Sequence, residues 1–327
     1  MSLLNSTLPS PLLLSDIAHL QLILRLVVAT FGLFILIAGI LGNILNIITF
    51  TTLDYYKQNA CSLYILARSI FDLNILIFGL GTRILSQSFQ IDFTLTSPIW
   101  CKLRVPIIYI NTLSSYTFLC LQSIDAFLVT SLSINLRQKS NIQSARYFLL
   151  SFVFLWIIEE LPYLFFQELT FISERNILIC TTINSIYAKY RTYFIYLFLT
   201  TIIPLILIIV FDLLTYRHLR IHSREKRHRL LSILGKQMTT MTLFHIAAVF
   251  LFQAPFAIAQ CYFLTVGISN DPIRGAQEQI IQQFFNVLGY GIYATSFYCY
   301  IVASRRFREQ VFNIFSFNQQ PRNRIQP

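Results

Sequence analysis

The sequence predicts an all-α integral membrane protein, a seven-transmembrane helix bundle with a short amphipathic C-terminal helix. Composition is the first indication: of 327 residues, 55% are hydrophobic and only 12% are charged. Soluble domains carry about 25% charged residues, so a soluble chain of this kind could not cover its surface with polar groups. The charges are also clustered, which leaves long stretches with almost none. The chain is therefore expected to lie mostly in a bilayer.

Seven apolar segments are the second indication. A bilayer core takes roughly 20 apolar residues as one helix. The segments that meet this test are 22–50, 60–82, 98–132, 145–167, 192–216, 234–264 and 280–303. One soluble domain could not bury seven such helices. The predicted organisation is an extracellular N-terminus (1–21), a seven-helix domain (22–303) and a cytoplasmic amphipathic helix with a tail (304–327).

The distribution of basic residues predicts the orientation, because Lys and Arg favour the cytoplasmic side. The loops after the first, third and fifth segments hold, with the tail, 16 Lys and Arg, and the opposite side holds 8. The N-terminus is therefore expected outside and the tail inside. The run "RHLRIHSREKRHRLL" (217–231) is interpreted as an orientation signal near anionic lipid or as a docking surface for a cytoplasmic partner. Either explains the net charge of +11 without a nucleic-acid partner.

Two features of the predicted outer side agree with this orientation. The triplet beginning at Asn5 is a glycosylation sequon. Cys101 and Cys180 also lie on this side, where disulfides persist. The opening stretch lacks a basic start and has a very short apolar run, so no cleaved signal peptide is expected.

Individual residues then indicate a family. The landmarks are Gly42-Asn43 in the first segment, Asp72 in the second, Trp100 and Cys101 opening the third, Trp156 in the fourth, Pro204 and Pro255 in the fifth and sixth, and "YIVASRRFREQVFNIF" (300–315) at the end of the seventh. In this order and at this spacing, the chain resembles the rhodopsin-like (class A) G-protein-coupled receptors, loosely the peptide-type receptors of invertebrates.

The resemblance implies a plasma-membrane receptor that binds an extracellular ligand and signals through a heterotrimeric G protein. It implies no enzyme activity and no cofactor. It also implies a disulfide between Cys101 and Cys180, helix kinks at Pro204 and Pro255, and a sodium site at Asp72. For Asp72 the alternative is a carboxylate satisfied by its neighbours without an ion.

The chain departs from the family pattern at several positions. These are Asp125-Ala126-Phe127 for Asp-Arg-Tyr, Gln253 at a tryptophan position, Ser296 and Phe297 for Asn-Pro with Tyr300 kept, Asp212 at a tyrosine position, and Lys236 where an acid is usual. Both partners of the family's charge pair between the third and sixth helices are therefore missing. Losing both removes that interaction without leaving a buried charge alone. The alternative function is a receptor fold without normal coupling, acting as a decoy, a scavenger or a dimer partner.

Arg68 is the most unusual residue of the second segment. It lies one turn before Asp72 on the same helical face, and an arginine at that depth needs a partner. Asp72 and Asp125 are the candidate partners, with Gln122 and Tyr300 nearby. We hypothesise that Arg68 fills part of the space left by Ala126 and ties the second and third helices together. The alternative is an arginine that snorkels to the inner surface.

The ligand is predicted from the outer half. Ile108 stands where amine-binding relatives have an aspartate, so an amine is not expected. Residues 168–191 contain two alternating stretches that predict a hairpin, as in peptide-binding relatives, and a peptide is the expected ligand, with a lipid or another small molecule as the alternative. The candidate pocket residues are Ile108, Asn111, Glu159, Gln253 and Gln260. Glu159 or its neighbour Glu160 would meet a cationic ligand group, or would pair with a neighbouring helix.

Other protein classes fit the sequence less well. A transporter would show internal repeats, and none is evident. The stretch "LGYG" (288–291) is similar to a potassium filter but lies within a predicted span. The chain has no phosphate-binding loop, no His-Glu-x-x-His and no Cys-x-x-Cys. His245 is a lone histidine, which is more often packed or hydrogen-bonded than catalytic.

Overall fold

A computed structural model describes residues 11–52, 59–172, 177–224 and 233–315. In these ranges the chain forms a bundle of long helices and one two-stranded sheet. The helices of the bundle are α1 (Pro11–Thr52), α2 (Ala60–Asn74, Ile75–Gly81 and Thr82–Ser88), α3 (Pro98–Thr130), α4 (Ile142–Glu160, with Tyr163–Phe166 after a turn), α5 (Ser185–Tyr190, Arg191–Ile202 and Ile203–Arg224), α6 (Ile233–Thr265), α7 (Pro272–Gly289, Tyr290–Tyr293 and Ser296–Ala303) and α8 (Arg305–Phe315). Short helices at Phe93–Thr96 and Ile134–Gln138 lie in the connections.

The prediction of a seven-helix bundle is confirmed, with one difference in the seventh helix. In the described part of the chain, α1 to α6 are long and apolar enough to cross a membrane. The seventh segment, predicted at 280–303, is not one continuous helix, because a 3-10 helix at Tyr290–Tyr293 interrupts it. Both long parts of α7 pack against α1 and α6. The part of α7 before the break contains Gln277, Gln279, Gln282 and Gln283, which make it less apolar than α1 to α6.

The surface of the bundle carries large apolar side chains. Phe34 and Leu150 are each 72% exposed, and Phe154 is 65% exposed. Soluble monomers rarely present contiguous apolar surfaces of this kind. The exposed faces of α1 and α4 therefore suit contact with lipid, and the polar residues described below lie inside the bundle.

Two helices contain widened, π-helical turns, at Ile75–Gly81 of α2 and Arg191–Ile202 of α5. Pro204, a predicted kink, lies two residues after the end of the second stretch. Proline has no N–H and crowds the carbonyl four residues earlier, so the widened turns accommodate it. Pro255, the other predicted kink, lies inside the continuous α-helix α6. Pro106 inside α3 was not predicted as a kink.

The predicted hairpin and disulfide are both confirmed. Strands β1 (Gln167–Ile172) and β2 (Ile177–Thr182) pair antiparallel. Cys180 of β2 is bonded to Cys101 at the start of α3, with the two Cα atoms 5.8 Å apart. This crosslink fixes the hairpin to the bundle, and we call this end of the molecule the hairpin end.

The opposite end carries the predicted amphipathic helix, and we call it the α8 end. Phe307 and Val311 of α8 are buried. The Phe307 ring lies 5.9 Å from the ring of Phe50 in α1 and 6.0 Å from that of Tyr300 in α7. Ile314, predicted on the same face, is half-buried. The side of α8 that carries Phe307 and Val311 therefore packs onto the bundle.

Some predictions fall outside the described residues. They concern the glycosylation sequon at Asn5, residues 225–231 of the basic run, the side chains of Lys236 and Phe315, and the tail beyond residue 315.

Candidate functional site

A cavity of about 300 Å³ lies in the hairpin half of the bundle, between α2, α3, α5, α6 and α7. Six of its 16 lining residues are aromatic: Tyr109, Tyr116, Tyr196, Phe256, Tyr290 and Tyr293. The Tyr290 ring packs closely against α2 at Gly79. A Cβ atom at position 79 would lie only 3.1 Å from the Tyr290 ring. Concave sites lined by aromatic rings with a few polar groups are typical of small-ligand binding.

The cavity also has a positive lining. Arg83 and Arg104 both line it, and both are half-buried. Arg104 donates from Nε to Oγ1 of Thr82 at 3.1 Å, and Arg83 donates from Nη1 to Oε1 of Gln283 at 2.7 Å. No acidic residue is among the described residues that line the cavity. The two guanidinium groups are thus held by neutral partners.

Two of the five predicted pocket residues line this cavity, namely Ile108 and Gln253. Asn111 does not, because its side chain donates to the carbonyl oxygen of Ile107 at 2.6 Å. Gln260 also lies away from the lining, but it donates to Oδ1 of the lining residue Asn286 at 2.5 Å. Its contribution to a ligand site would therefore be indirect.

The fifth predicted residue, Glu159, also lies outside the lining, and Glu160 is engaged elsewhere. Nη1 of Arg191 in α5 donates to Oε2 of Glu160 at 2.7 Å. The guanidinium lies between the rings of Tyr109 and Tyr163, at 4.5 Å and 4.3 Å from their centroids. Of the two alternatives for these acids, the geometry of Glu160 agrees with pairing to a neighbouring helix. The acid pairs with a neighbouring helix, and the cavity keeps a positive lining.

Gln253 forms part of the cavity wall at its buried side. It is 2% exposed, and its Oε1 accepts a hydrogen bond from the hydroxyl of Tyr116 at 2.8 Å. Its Nε2 has no hydrogen-bond partner among the described residues. A buried N–H group without a partner is costly, so this donor is available to a group in the cavity.

A buried polar core, built around Arg68, lies on the α8 side of the cavity. Arg68 is 2% exposed, so it does not snorkel to the surface. Its Nε lies 3.3 Å from Oδ2 of Asp72 and 3.4 Å from Oγ of Ser115 in α3. Nη1 contacts the ring nitrogens of His245 in α6 at 3.1 and 3.3 Å. Nη2 donates to the carbonyl oxygen of Ile292 in α7 at 3.3 Å.

This geometry does not fit the predicted sodium site. Asp72 is fully buried, and its Oδ1 accepts a hydrogen bond from the hydroxyl of Ser115. Its other oxygen faces the Arg68 guanidinium. A second cation about 4 Å from that charge would be repelled by about 4 kcal/mol at an effective dielectric constant near 20. The side chain of Arg68 supplies the positive charge that Asp72 requires.

Of the two candidate partners of Arg68, Asp72 is the one that it pairs with, and of the two parts of the hypothesis, the link between α2 and α3 is the one observed. Arg68 does link α2 to α3, through Ser115. It does not pair with Asp125, whose Oδ1 accepts from Oγ of Ser140 at 2.6 Å. It also does not fill space beside Ala126, because eleven residues separate Ala126 from Ser115, about 16 Å along a helix. The ion pair with Asp72 draws the guanidinium toward the middle of the bundle.

Other predicted polar residues form an adjoining layer toward the α8 end, where the Tyr300 ring lies 5.6 Å from the ring of His245. Gln122 of α3 donates from Nε2 to Oγ1 of Thr242 in α6 at 2.9 Å, and Nε2 lies 3.5 Å from the hydroxyl of Tyr300 in α7. Asn46 of α1 donates to Oγ of Ser296 at 3.0 Å. Neutral hydrogen bonds thus connect α3 to α6 one turn from Ala126.

Ala126 itself is buried, 2% exposed. The next residue, Phe127, stacks on the ring of His218 in α5 at 5.2 Å, and Phe211 lies 5.6 Å away. Phe127, the residue after Ala126, is thus part of a packed α3–α5 contact.

Sequence reasoning missed two partners of Arg68, the His245 ring and the Ile292 carbonyl. His245 is fully buried on a mainly apolar helix, and a buried polar residue needs a partner; that was the available signal. No sequence signal points to the Ile292 carbonyl, since its availability depends on the interruption of α7 at Tyr290–Tyr293. Carbonyl groups near a helix end lack helical partners.

A family model described as "7 transmembrane receptor (rhodopsin family)" matches residues 42–298, well over half of the chain. The match includes α2 to α6 and the cavity and polar core described above. No curated protein matches the chain.

Proposed function

We propose that this chain, which belongs to the rhodopsin family of seven-transmembrane receptors, is a plasma-membrane receptor for an extracellular peptide and signals through a heterotrimeric G protein. The hairpin end faces outside, and the α8 end faces the cytoplasm. The disulfide at the hairpin end supports this orientation, since disulfides persist in oxidising surroundings. The inner position of α8 fits an amphipathic helix at the membrane surface.

One observation carries the proposal: the cavity and the polar core share a backbone segment. Tyr293 lines the cavity, and the preceding residue, Ile292, offers the carbonyl that Arg68 binds. A ligand that moves Tyr293 therefore acts on the contact that joins α2, α6 and α7. Ligand binding shifts a two-state equilibrium only through differential contacts of this kind.

The β-hairpin supports a peptide as the ligand. It is pinned over the start of α3 by the Cys101–Cys180 bond, and an edge of paired strands offers main-chain hydrogen bonds to an extended peptide. The cavity, of about 300 Å³, takes one end of such a peptide rather than its whole length.

G-protein coupling is proposed in spite of Ala126. The α3–α6 contact near the inner end is the neutral Gln122–Thr242 hydrogen bond. Breaking a neutral hydrogen bond costs about 1 kcal/mol, which is less than the cost of breaking a buried ion pair. The inner ends of α5 and α6 are therefore able to separate when a ligand favours the open arrangement.

The second candidate is a receptor that binds its ligand without activating a G protein, as a scavenger, a decoy or a dimer partner. The observation that favours it is the burial of Ala126 and the packing of the next residue, Phe127. No arginine stands at position 126, and Phe127 fills the α3–α5 contact with His218 and Phe211.

The test is G-protein dissociation in cells that express the unaltered chain, with surface expression matched to that of each variant. We expect activity above mock-transfected cells in the unaltered chain. Ala126→Arg is compared with Leu132→Arg, which adds the same charge at a position that is 45% exposed. Silence in the unaltered chain and in Leu132→Arg, with activity in Ala126→Arg, would establish the second candidate instead.

A further inference from the structure

We propose that the cavity binds a carboxylate, and that Arg83 and Arg104 recognise it. The carboxylate belongs to the free C-terminus of a peptide or to a small aromatic acid. This inference rests on the proposed receptor function and specifies the class of ligand.

The first observation is the state of the two arginines. Each has one hydrogen bond to a side-chain oxygen, Thr82 for Arg104 and Gln283 for Arg83, although a guanidinium has five N–H donors. Neither forms an ion pair with a described residue. Half-buried charges are stabilised when an opposite charge reaches them, and the cavity is where such a charge has access to both.

The surrounding acids are engaged elsewhere. Glu160 is paired with Arg191 at 2.7 Å. Asp92 acts electrostatically on Arg104, but it does not line the cavity, and its Oδ1 accepts from the backbone nitrogen and hydroxyl of Thr94. The positive lining is therefore not compensated within the cavity.

Arg191 provides an internal comparison. Where this fold buries an arginine for structural purposes, it supplies a carboxylate at 2.7 Å and two aromatic faces. Arg83 and Arg104 receive only neutral oxygens, which orient the side chains and leave their remaining N–H groups unused. Planar guanidinium groups match the two oxygens of a carboxylate.

The rest of the cavity fits the body of such a ligand. Its aromatic wall suits an aromatic or apolar group. At the buried side, the unpartnered Nε2 of Gln253 can donate to a carbonyl or a second polar group. The cavity thus selects an aromatic or apolar body with an oxyanion near the two arginines.

The experiment uses the purified full chain in nanodiscs of neutral lipid, with no G protein. Thermal stabilisation is titrated with matched pairs of probes: N-acetyl-Phe-Phe with its C-terminal amide, and indole-3-acetate with indole-3-acetamide. The first pair represents a peptide C-terminus, and the second represents a small acid. The variants are Arg83→Gln, Arg104→Gln and the double change. Arg274→Gln is the control, since Arg274 lies at the same end, is exposed, and pairs with Glu278.

We expect at least one acid to bind about tenfold or more tightly than its amide, because charge-assisted hydrogen bonds are the stronger kind. Each single variant reduces this preference, the double variant abolishes it, and Arg274→Gln retains it. Whichever pair shows the preference identifies the source of the carboxylate. Equal binding of acids and amides, no binding of any acid, or a preference that survives the double change overturns the proposal.

This result is separable from the fate of the proposed function. Selective binding of an acid without G-protein activation would uphold the carboxylate site and refute signalling. Activation by a probe that binds equally as acid and amide would uphold the receptor and refute the carboxylate site.

Discussion

Arg68 is predicted to be the most stabilising single side chain of the polar core, through its ion pair with Asp72. The side chains of the two residues are 3% and 0% exposed. Arg68→Leu would leave the Asp72 carboxylate buried, with Ser115 as its partner. It would also leave the Ile292 carbonyl and the His245 ring without the guanidinium that binds both.

The magnitude follows from this burial. Removing one partner of a buried ion pair costs about 3–5 kcal/mol, whereas replacing both with neutral groups costs much less. We therefore expect Arg68→Leu and Asp72→Asn each to lower the free energy of unfolding by about 3–5 kcal/mol. The double variant should lose less than the sum of the two, by at least about 2 kcal/mol.

The assay is steric trapping of the purified chain in bicelles, which measures unfolding under non-denaturing conditions. Arg274→Leu is the control, since it breaks a pair with the same i,i+4 spacing whose side chains are 69% and 13% exposed. Exposed pairs contribute about 0–1 kcal/mol. A loss in Arg68→Leu as small as the control's, or additive losses in the double variant, would refute the reasoning.

Three further predictions concern other parts of the molecule. The thermal stability of the unaltered chain should be equal in sodium and choline chloride of the same concentration, because Arg68 already neutralises Asp72; a sodium-specific stabilisation would contradict this. Glu160→Gln should lower the free energy of unfolding by about 3 kcal/mol, because it removes the buried partner of Arg191. The control Glu159→Gln, at a half-buried neighbour, should lower it by less than about 1 kcal/mol. Equal losses in the two variants would contradict a stabilising Arg191–Glu160 pair. Cys101→Ala should lower the free energy of unfolding by about 2–5 kcal/mol, since the disulfide closes a sequence separation of 79 residues. Reduction of the unaltered chain should give the same loss. A loss below about 1 kcal/mol in either experiment would contradict a stabilising disulfide.

Much of the fold could be predicted from the sequence because membrane solvation is a strong constraint. A lipid-spanning segment must satisfy its backbone internally, so apolar length locates α1 to α6 well. The interruption of α7 was not predicted, because residues 280–303 form a bilayer-length segment without a proline to mark a break at Tyr290–Tyr293. The start of α1 at Pro11, eleven residues before the predicted segment, reflects a helix that extends beyond the bilayer-length apolar run.

The candidate site was less predictable, because side-chain partners depend on tertiary geometry. Asp72 was a natural partner for Arg68, being one turn away on the same helix. His245 and the Ile292 carbonyl come from helices 177 and 224 residues away, and no local pattern links them. For Glu160 the sequence leaves a ligand contact and a helix–helix pair as alternatives, because it does not show that Arg191, on the next helix, reaches the carboxylate at 2.7 Å.

The central claim is that the cavity and the inner face belong to one signalling receptor. The most direct test is GDP–GTP exchange on purified heterotrimers of each Gα class, in nanodiscs that contain the unaltered chain. The measurement is made alone and with the free acid that gives the strongest thermal stabilisation. We expect exchange above empty nanodiscs for at least one heterotrimer, a further increase with the acid, and no increase with the acid in Arg83→Gln/Arg104→Gln. Exchange equal to that of empty nanodiscs for every heterotrimer, with the bound acid present, would contradict the claim.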